Sequence, residues 1–295
     1  MLTKLLQRPL WVCGVAVLTL TANSSAQLTT YDLQERLATE SHAGKLHGHA
    51  KDSAMNYRRY CVGCHGELGD GNGENAQWLD PKPRDFQLGI FKCRSTPTGT
   101  LPTDQDLYDT IGRGLDRSNM PVWNALSAQD KIDLVAWVKH FSPRWEREKA
   151  GTPILIPPEP EVTPERVKAG QEVFGRVQCW KCHGVQGMAN GPSASTLTDD
   201  LNRPILAYNF TDGSRPKCGN TDQDIYRIFM TGLDGTPMPS FSDNIKPEEA
   251  WDLVFYLRTL QPMNGFNTKA SEFLSVRESS PLPARMLRYT QGTFT

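Results

Sequence analysis

The chain carries the pentapeptide Cys-x-x-Cys-His twice, as CVGCH at Cys61–His65 and CWKCH at Cys179–His183. The sequence downstream of each copy also repeats. Residues 103–121 read TDQDLYDTIGRGLDRSNMP and residues 221–239 read TDQDIYRIFMTGLDGTPMP, identical at ten of nineteen positions without a gap. Both repeats end in Met-Pro, and the separations Cys61 to Met120 and Cys179 to Met238 are both 59 residues. A chain of 295 residues has room for two domains. The duplication therefore predicts two halves of one design.

The motif has a specific chemistry. Two thiols three positions apart reach the two vinyl groups of one porphyrin, and the next residue, a histidine, lies beneath the iron. C-x-x-C-H is the attachment signature of c-type haem. The cofactor-binding residues expected are Cys61, Cys64, Cys179 and Cys182, with His65 and His183 as iron ligands. Met120 and Met238 are the expected second ligands. A lone methionine is often core filler, but two in Met-Pro at matched spacing point to iron. A thioether opposite an imidazole raises the haem potential and closes the iron to substrates. Two covalent haem c groups per chain are expected.

Helical signals flank each motif. Thr103-Asp104 and Thr221-Asp222 provide an N-cap and an acidic first turn, and Gly-Leu-Asp stops each helix. A loop then carries the methionine. Each half closes with a second helix, DLVAWVKHF at 133–141 and DLVFYLRTL at 252–260. Leu134, Trp137, Val138 and Phe141 share one face, as do Leu253, Tyr256, Leu257 and Leu260. Ser127 and Lys246-Pro247 mark the starts. Helical stretches also precede the motifs, one with Met55, Tyr57 and Tyr60, the other with Val167, Val173 and Phe174. The glycine-rich runs HGELGDGNG and HGVQGMANG are expected to lie close to a porphyrin, where a side chain would not fit.

Lys4 and Arg8 precede an apolar run from Leu10 to Ala22, with small residues at Ser24-Ser25-Ala26. This reads as a secretory signal peptide over 1–26, too short and interrupted for a membrane span unless it is kept as an anchor. Export predicts a periplasmic location. The formal net charge of −1 and the lack of a basic stripe argue against nucleic acid as a partner. Cys93 and Cys218 remain, one per half, each after a lysine. A disulfide, a pair of buried thiols and a thiolate iron ligand are the three readings. The matched positions favour a Cys93–Cys218 bridge. The expected organisation is a signal peptide at 1–26, an arm at 27–50 bearing His42, His47 and His49, and a first domain at 51–142. A Pro-rich linker at 143–163, extended and without a helix, leads to a second domain at 164–261 and a tail at 262–295.

These residues together make the chain resemble tandem class I c-type cytochromes, the dihaem electron carriers, over about residues 50–142 and 164–261. The resemblance implies an all-α fold, one haem per domain, and axial pairs His65/Met120 and His183/Met238. It also implies a proline carbonyl against the proximal imidazole. Pro83 suits that role in the first half, and Ala207–Phe210 at the corresponding place offers no proline. The halves differ in loop length. His183 to Cys218 spans 35 positions against 28 for His65 to Cys93, and Cys93 to Met120 spans 27 against 20 for Cys218 to Met238.

The function this predicts is single-electron transfer between redox proteins, or with a respiratory or dehydrogenase complex, and no catalysis. Three rivals are retained. A dihaem peroxidase would need one open iron. A thiosulfate-oxidising cytochrome would use Cys93 or Cys218 as a thiolate ligand. An electron-transfer subunit of a larger oxidoreductase complex would dock through its arm or tail.

Overall fold

The computed structural model describes residues 39–262. The expected signal peptide, the first half of the arm (27–38) and all but the first residue of the tail lie outside the described residues. The first half comprises β1 (Glu40–Ala43), β2 (Leu46–His49), α1 (Ala54–Tyr60), α2 (Val62–His65), α3 (Asp104–Arg113) and α4 (Ala128–His140). After α5 (Arg144–Arg147), the second half has α6 (Pro164–Arg176), α7 (Trp180–His183), α8 (Asp222–Thr231) and α9 (Pro247–Leu260). The fold is mostly helical. No described helix is long and apolar enough to cross a membrane.

The helices start where the sequence says they should. Thr103 and Thr221 accept from the N–H groups of Asp106 and Asp224, whose carboxylates return the bond to the capping threonine. Ser127 and Asp130 do the same for α4. These reciprocal bonds satisfy donors that a helix start otherwise leaves orphaned. Pro247 opens α9, and Glu249 accepts from the backbone N–H of Lys246. Helices α3 and α8 stop at Gly114 and Gly232, with φ of 69° and 70°, a conformation costly for any other residue.

Each half has its own apolar core. The first centres on Tyr57, Phe86, Leu107, Ile111, Ile132, Leu134 and Phe141. The second centres on Val167, Phe174, Trp180, Tyr226, Trp251, Leu253 and Tyr256. Each aliphatic or phenylalanine side chain among them contributes about 1.5–3 kcal/mol on burial. In the second half α6 crosses α9 so closely that a Cβ on Gly170 would sit 1.9 Å from the Asp252 carbonyl oxygen. In the first half α1 is only seven residues long. The β1–β2 hairpin takes over the role of the missing turns. A Cβ on Gly48 would lie 2.3 Å from the Ile132 carbonyl oxygen of α4, and Ser41 Oγ donates to that same carbonyl at 2.6 Å.

Two expectations need correction. The fold is not purely α-helical, because the arm ends in this hairpin. Its alternation is legible as eBeB burial along β1, but four-residue strands are too short to stand out by pattern alone. The Pro-rich segment also contains a helix, α5. Its prolines concentrate at 153–164, leaving RWER at 144–147 free to turn, and Pro143 sits just before it with φ of −67°, a value compatible with helix entry. The remainder is not a loose spacer. The N–H groups of Gly151 and Ile154 donate to Leu101 and Ser95 in the first half, and Trp251 Nε1 of the second half donates to the Pro157 carbonyl.

The halves are joined beyond this segment. Cys93 and Cys218 form a disulfide with Cα atoms 5.2 Å apart, as their matched positions led us to expect. Beside it Arg94, fully buried, donates to the Thr231 carbonyl at 2.6 Å and pairs with Asp234 at 2.7 Å. Asp234 also accepts from Thr98 Oγ1 and the Gly99 N–H.

Candidate haem-binding site

The two Cys-x-x-Cys-His motifs adopt the same backbone. Each forms a one-turn helix in which the histidine N–H donates to the carbonyl of the first cysteine, at 2.9 Å for His65 and 3.0 Å for His183. The chain then reverses at Gly66 and Gly184, both at φ 78°. A Cβ on Gly73 or Gly191 would collide with the motif backbone at 2.4 or 2.2 Å. The glycine-rich runs therefore fold back under their own motif. Cys61, Cys64, Cys179 and Cys182 are not disulfide-bonded. Burial pushes the free Cys61 and Cys179 thiols up to about 12.

Both imidazoles are oriented by a main-chain carbonyl. His65 Nδ1 donates to Arg84 O at 3.1 Å, and His183 Nδ1 donates to Tyr208 O at 2.8 Å. A proton fixed on Nδ1 leaves Nε2 as the free lone pair. Burial lowers His65 to about 4 and lowers His183 as well, which keeps both rings neutral, the form that ligates metals. Phe86 stacks on the His65 ring at 4.4 Å. The expected acceptor in the first half is corrected here: it is Arg84, one residue beyond Pro83. No proline is needed in the second half either, since any residue has a carbonyl. Six of the seven extra residues in the second half fall between His183 and this carbonyl (separations of 25 and 19).

The methionine loops match in the same detail. The Leu115 N–H donates to Met120 O at 3.1 Å and the Leu233 N–H to Met238 O at 3.0 Å. Ser118 Oγ and Thr236 Oγ1 each donate to the leucine carbonyl and accept from the methionine N–H. Serine and threonine are interchangeable here, so this position escaped the count of identities. Cβ atoms on Gly114 or Gly232 would strike Pro121 or Pro239 within 2.8 Å, which explains why the Gly-Leu-Asp and Met-Pro elements recur together.

In the first half, Cys61, Cys64, His65 and Met120 line one cavity. Its walls are apolar: Phe86, Phe91, Leu107, Ile111, Leu134 and Val138. In the second half, Cys179, Tyr208 and Met238 pack against a single core. Polar groups at the first cavity fit an anionic, flat, apolar guest. Trp123 lines it with a buried Nε1 that has no protein partner. Arg84, Lys92 and Lys217 also line it. Burial first, and then the Arg84 and Lys217 cations, push Lys92 down to about 8, against the opposing pull of Asp199 and Asp200. Cations crowded at an apolar hollow favour a bound carboxylate, and a haem carries two. The site residues therefore fit a haem.

A family model described as cytochrome c matches residues 167–261. A second, described as cytochrome c oxidase, cbb3-type, subunit III, matches residues 48–138. Among solved structures, a chain of the reducing HAO-like protein complex of Kuenenia stuttgartiensis is 39% identical, with a TM-score of 0.70, covering 72% of this chain and 96% of that one. The chain belongs to the c-type cytochromes. No curated protein matches it significantly. Membership implies covalently bound haem c with its iron, and makes this cytochrome an electron-transfer protein.

Sequence reasoning missed the basic group around the first cavity. Arg84 and Lys92 come from one loop of the first half, and Lys217 comes from the other half. Only the lysine before each leftover cysteine signalled it.

Proposed function

We propose that this cytochrome is a periplasmic dihaem carrier of single electrons, with His65 and Met120 on one iron and His183 and Met238 on the other. The observation that carries this reading is the shared cavity of His65 and Met120, together with the recurrence of both local geometries at His183 and Met238. Bound covalently through Cys61/Cys64 and Cys179/Cys182, each haem supplies a one-electron iron couple. The chain's residues set that couple. Neutral imidazoles held by Arg84 O and Tyr208 O keep Nε2 free to ligate. The paired hydrogen bonds at Met120 and Met238 hold each methionine loop closed. The apolar walls exclude water, which favours the less charged ferrous form and raises the potential.

A peroxidase would require one methionine loop to open, and the two loops are held alike. A thiolate ligand from Cys93 or Cys218 is disfavoured because these two sulfurs bond each other. A role as a subunit within a larger redox complex has specific support, because the 39% identical relative comes from such a complex.

Intact mass after acid–acetone extraction tests the reading. Two haem masses retained per chain are expected, and a mass for apoprotein or one haem would overturn it. The ferric spectrum should show the weak thioether-to-iron band for both sites. Co-purification at native expression separates free carrier from complex subunit.

A further inference from the structure

The cytochrome has six histidines. His65 and His183 belong to the attachment motifs, and His140 is buried in α4. The remaining three stand together on the β1–β2 hairpin, and the electron-transfer reading does not use them. Pairing sets Glu40 opposite His49 and His42 opposite His47. Alternation then puts Ser41, Ala43, Leu46 and Gly48 toward α4 and all four ligand-type side chains on the outer face.

The four groups already touch. The His42 and His47 rings stack at 4.2 Å, and His47 and His49 lie at 4.4 Å. Glu40 reaches His47 Nε2 at 3.2 Å and His49 Nδ1 at 3.5 Å. One ligand atom from each of Glu40, His42 and His47 lies within 4.8 Å of the others. A tetrahedral zinc ion, with bonds of about 2.0–2.1 Å, needs ligand atoms about 3.4 Å apart. Exposed side chains close that difference by small rotations.

The backbone beneath is held in advance. Asp104 Oδ2 accepts from the His42 N–H at 2.7 Å and Asp133 Oδ1 from the His49 N–H at 2.9 Å. Gln129 Nε2 donates to His47 O and Lys139 Nζ to Glu40 O. A metal site is tighter when its scaffold is fixed before binding. We propose that Glu40, His42 and His47, with His49 as a further donor, bind one divalent transition-metal ion of the class that prefers imidazole and carboxylate, represented by Zn(II). The ion would staple the two strands of the hairpin.

The test uses untagged, haem-loaded, oxidised protein dialysed against Zn(II) alone, followed by metal analysis. One zinc per chain above the haem iron is expected at micromolar free zinc. His42→Ala and His47→Ala should each weaken binding by at least about 100-fold, the upper end of what loss of a mere outer partner causes. Glu40→Gln should weaken it less. An unchanged haem spectrum will show that the variants fold. X-ray absorption at the zinc edge should give only nitrogen and oxygen neighbours, with imidazole scattering. Absence of saturable binding, undiminished binding in the His42→Ala/His47→Ala double variant, or a sulfur shell would each overturn the proposal.

Discussion

Replacing Asp234 by alanine should loosen the union of the two halves more than any exposed ion-pair deletion. Arg94 is 0% exposed at its side chain and Asp234 15%. Once the carboxylate is gone, Arg94 keeps hydrogen bonds only to carbonyls, Thr231 O at 2.6 Å, Pro97 O at 3.3 Å and Phe91 O at 3.5 Å, and the Asp106 carboxylate favours its charge without bonding to it. Carbonyl dipoles offset part of a buried charge but do not neutralise it. Removing one partner of a buried pair typically costs about 3–5 kcal/mol. The Gly99 N–H loses its acceptor as well. For a folded unit of this size that corresponds to a melting shift of about 6–20 °C. Arg117–Asp212, also across the halves but 31% and 35% exposed, is the internal control. Asp212→Ala should cost only about 0.2–1 kcal/mol. The assay is urea unfolding of the oxidised protein, followed in parallel by far-UV circular dichroism and tryptophan fluorescence. The double variant Arg94→Met/Asp234→Asn should recover most of the loss, because the cost comes from the stranded charge. If Asp234→Ala and Asp212→Ala cost the same, or if the double variant is the least stable, the argument from burial is wrong.

Met120→Ala and Met238→Ala should each lower one midpoint potential in a redox titration and leave the other haem nearly unchanged; persistence of both thioether bands in either variant would refute the ligand assignment there. Thiol labelling of denatured, unreduced protein should find neither Cys93 nor Cys218, and Cys93→Ser/Cys218→Ser should lose about 5 kcal/mol, the chain-entropy value for a separation of 125 residues; two labelled thiols in the wild type would remove the bridge. Gly170→Ala gains about 1 kcal/mol of helix propensity, yet its Cβ meets backbone oxygen at 1.9 Å. Overpacking costs about 1–3 kcal/mol, so a net loss in urea stability is expected, and a net gain would show that α6 and α9 can part cheaply.

The sequence by itself determined whatever depends on local chemistry repeated at fixed spacing. The attachment motifs, the Met-Pro loops, the Thr-Asp capping boxes and the glycine stops are all legible because each is a short-range requirement written within a few residues. Duplication made them firmer, since Thr103–Pro121 and Thr221–Pro239 had to serve the same geometry. Even Cys93 and Cys218 were readable as a pair, because they occupy matching places in the two halves and no other cysteine outside the expected signal peptide was left for either, and they do bond each other. Only the tertiary structure decided which carbonyl holds each imidazole. Arg84 rather than Pro83 faces His65, because the path of a long loop, not the identity of one residue, determines which oxygen arrives. It also decided that four alternate residues of the arm form one outward cluster, and that Lys217 reaches into the opposite half's cavity beside Arg84 and Lys92. Contacts between distant segments depend on how helices and loops pack in three dimensions, and no local spacing encodes them.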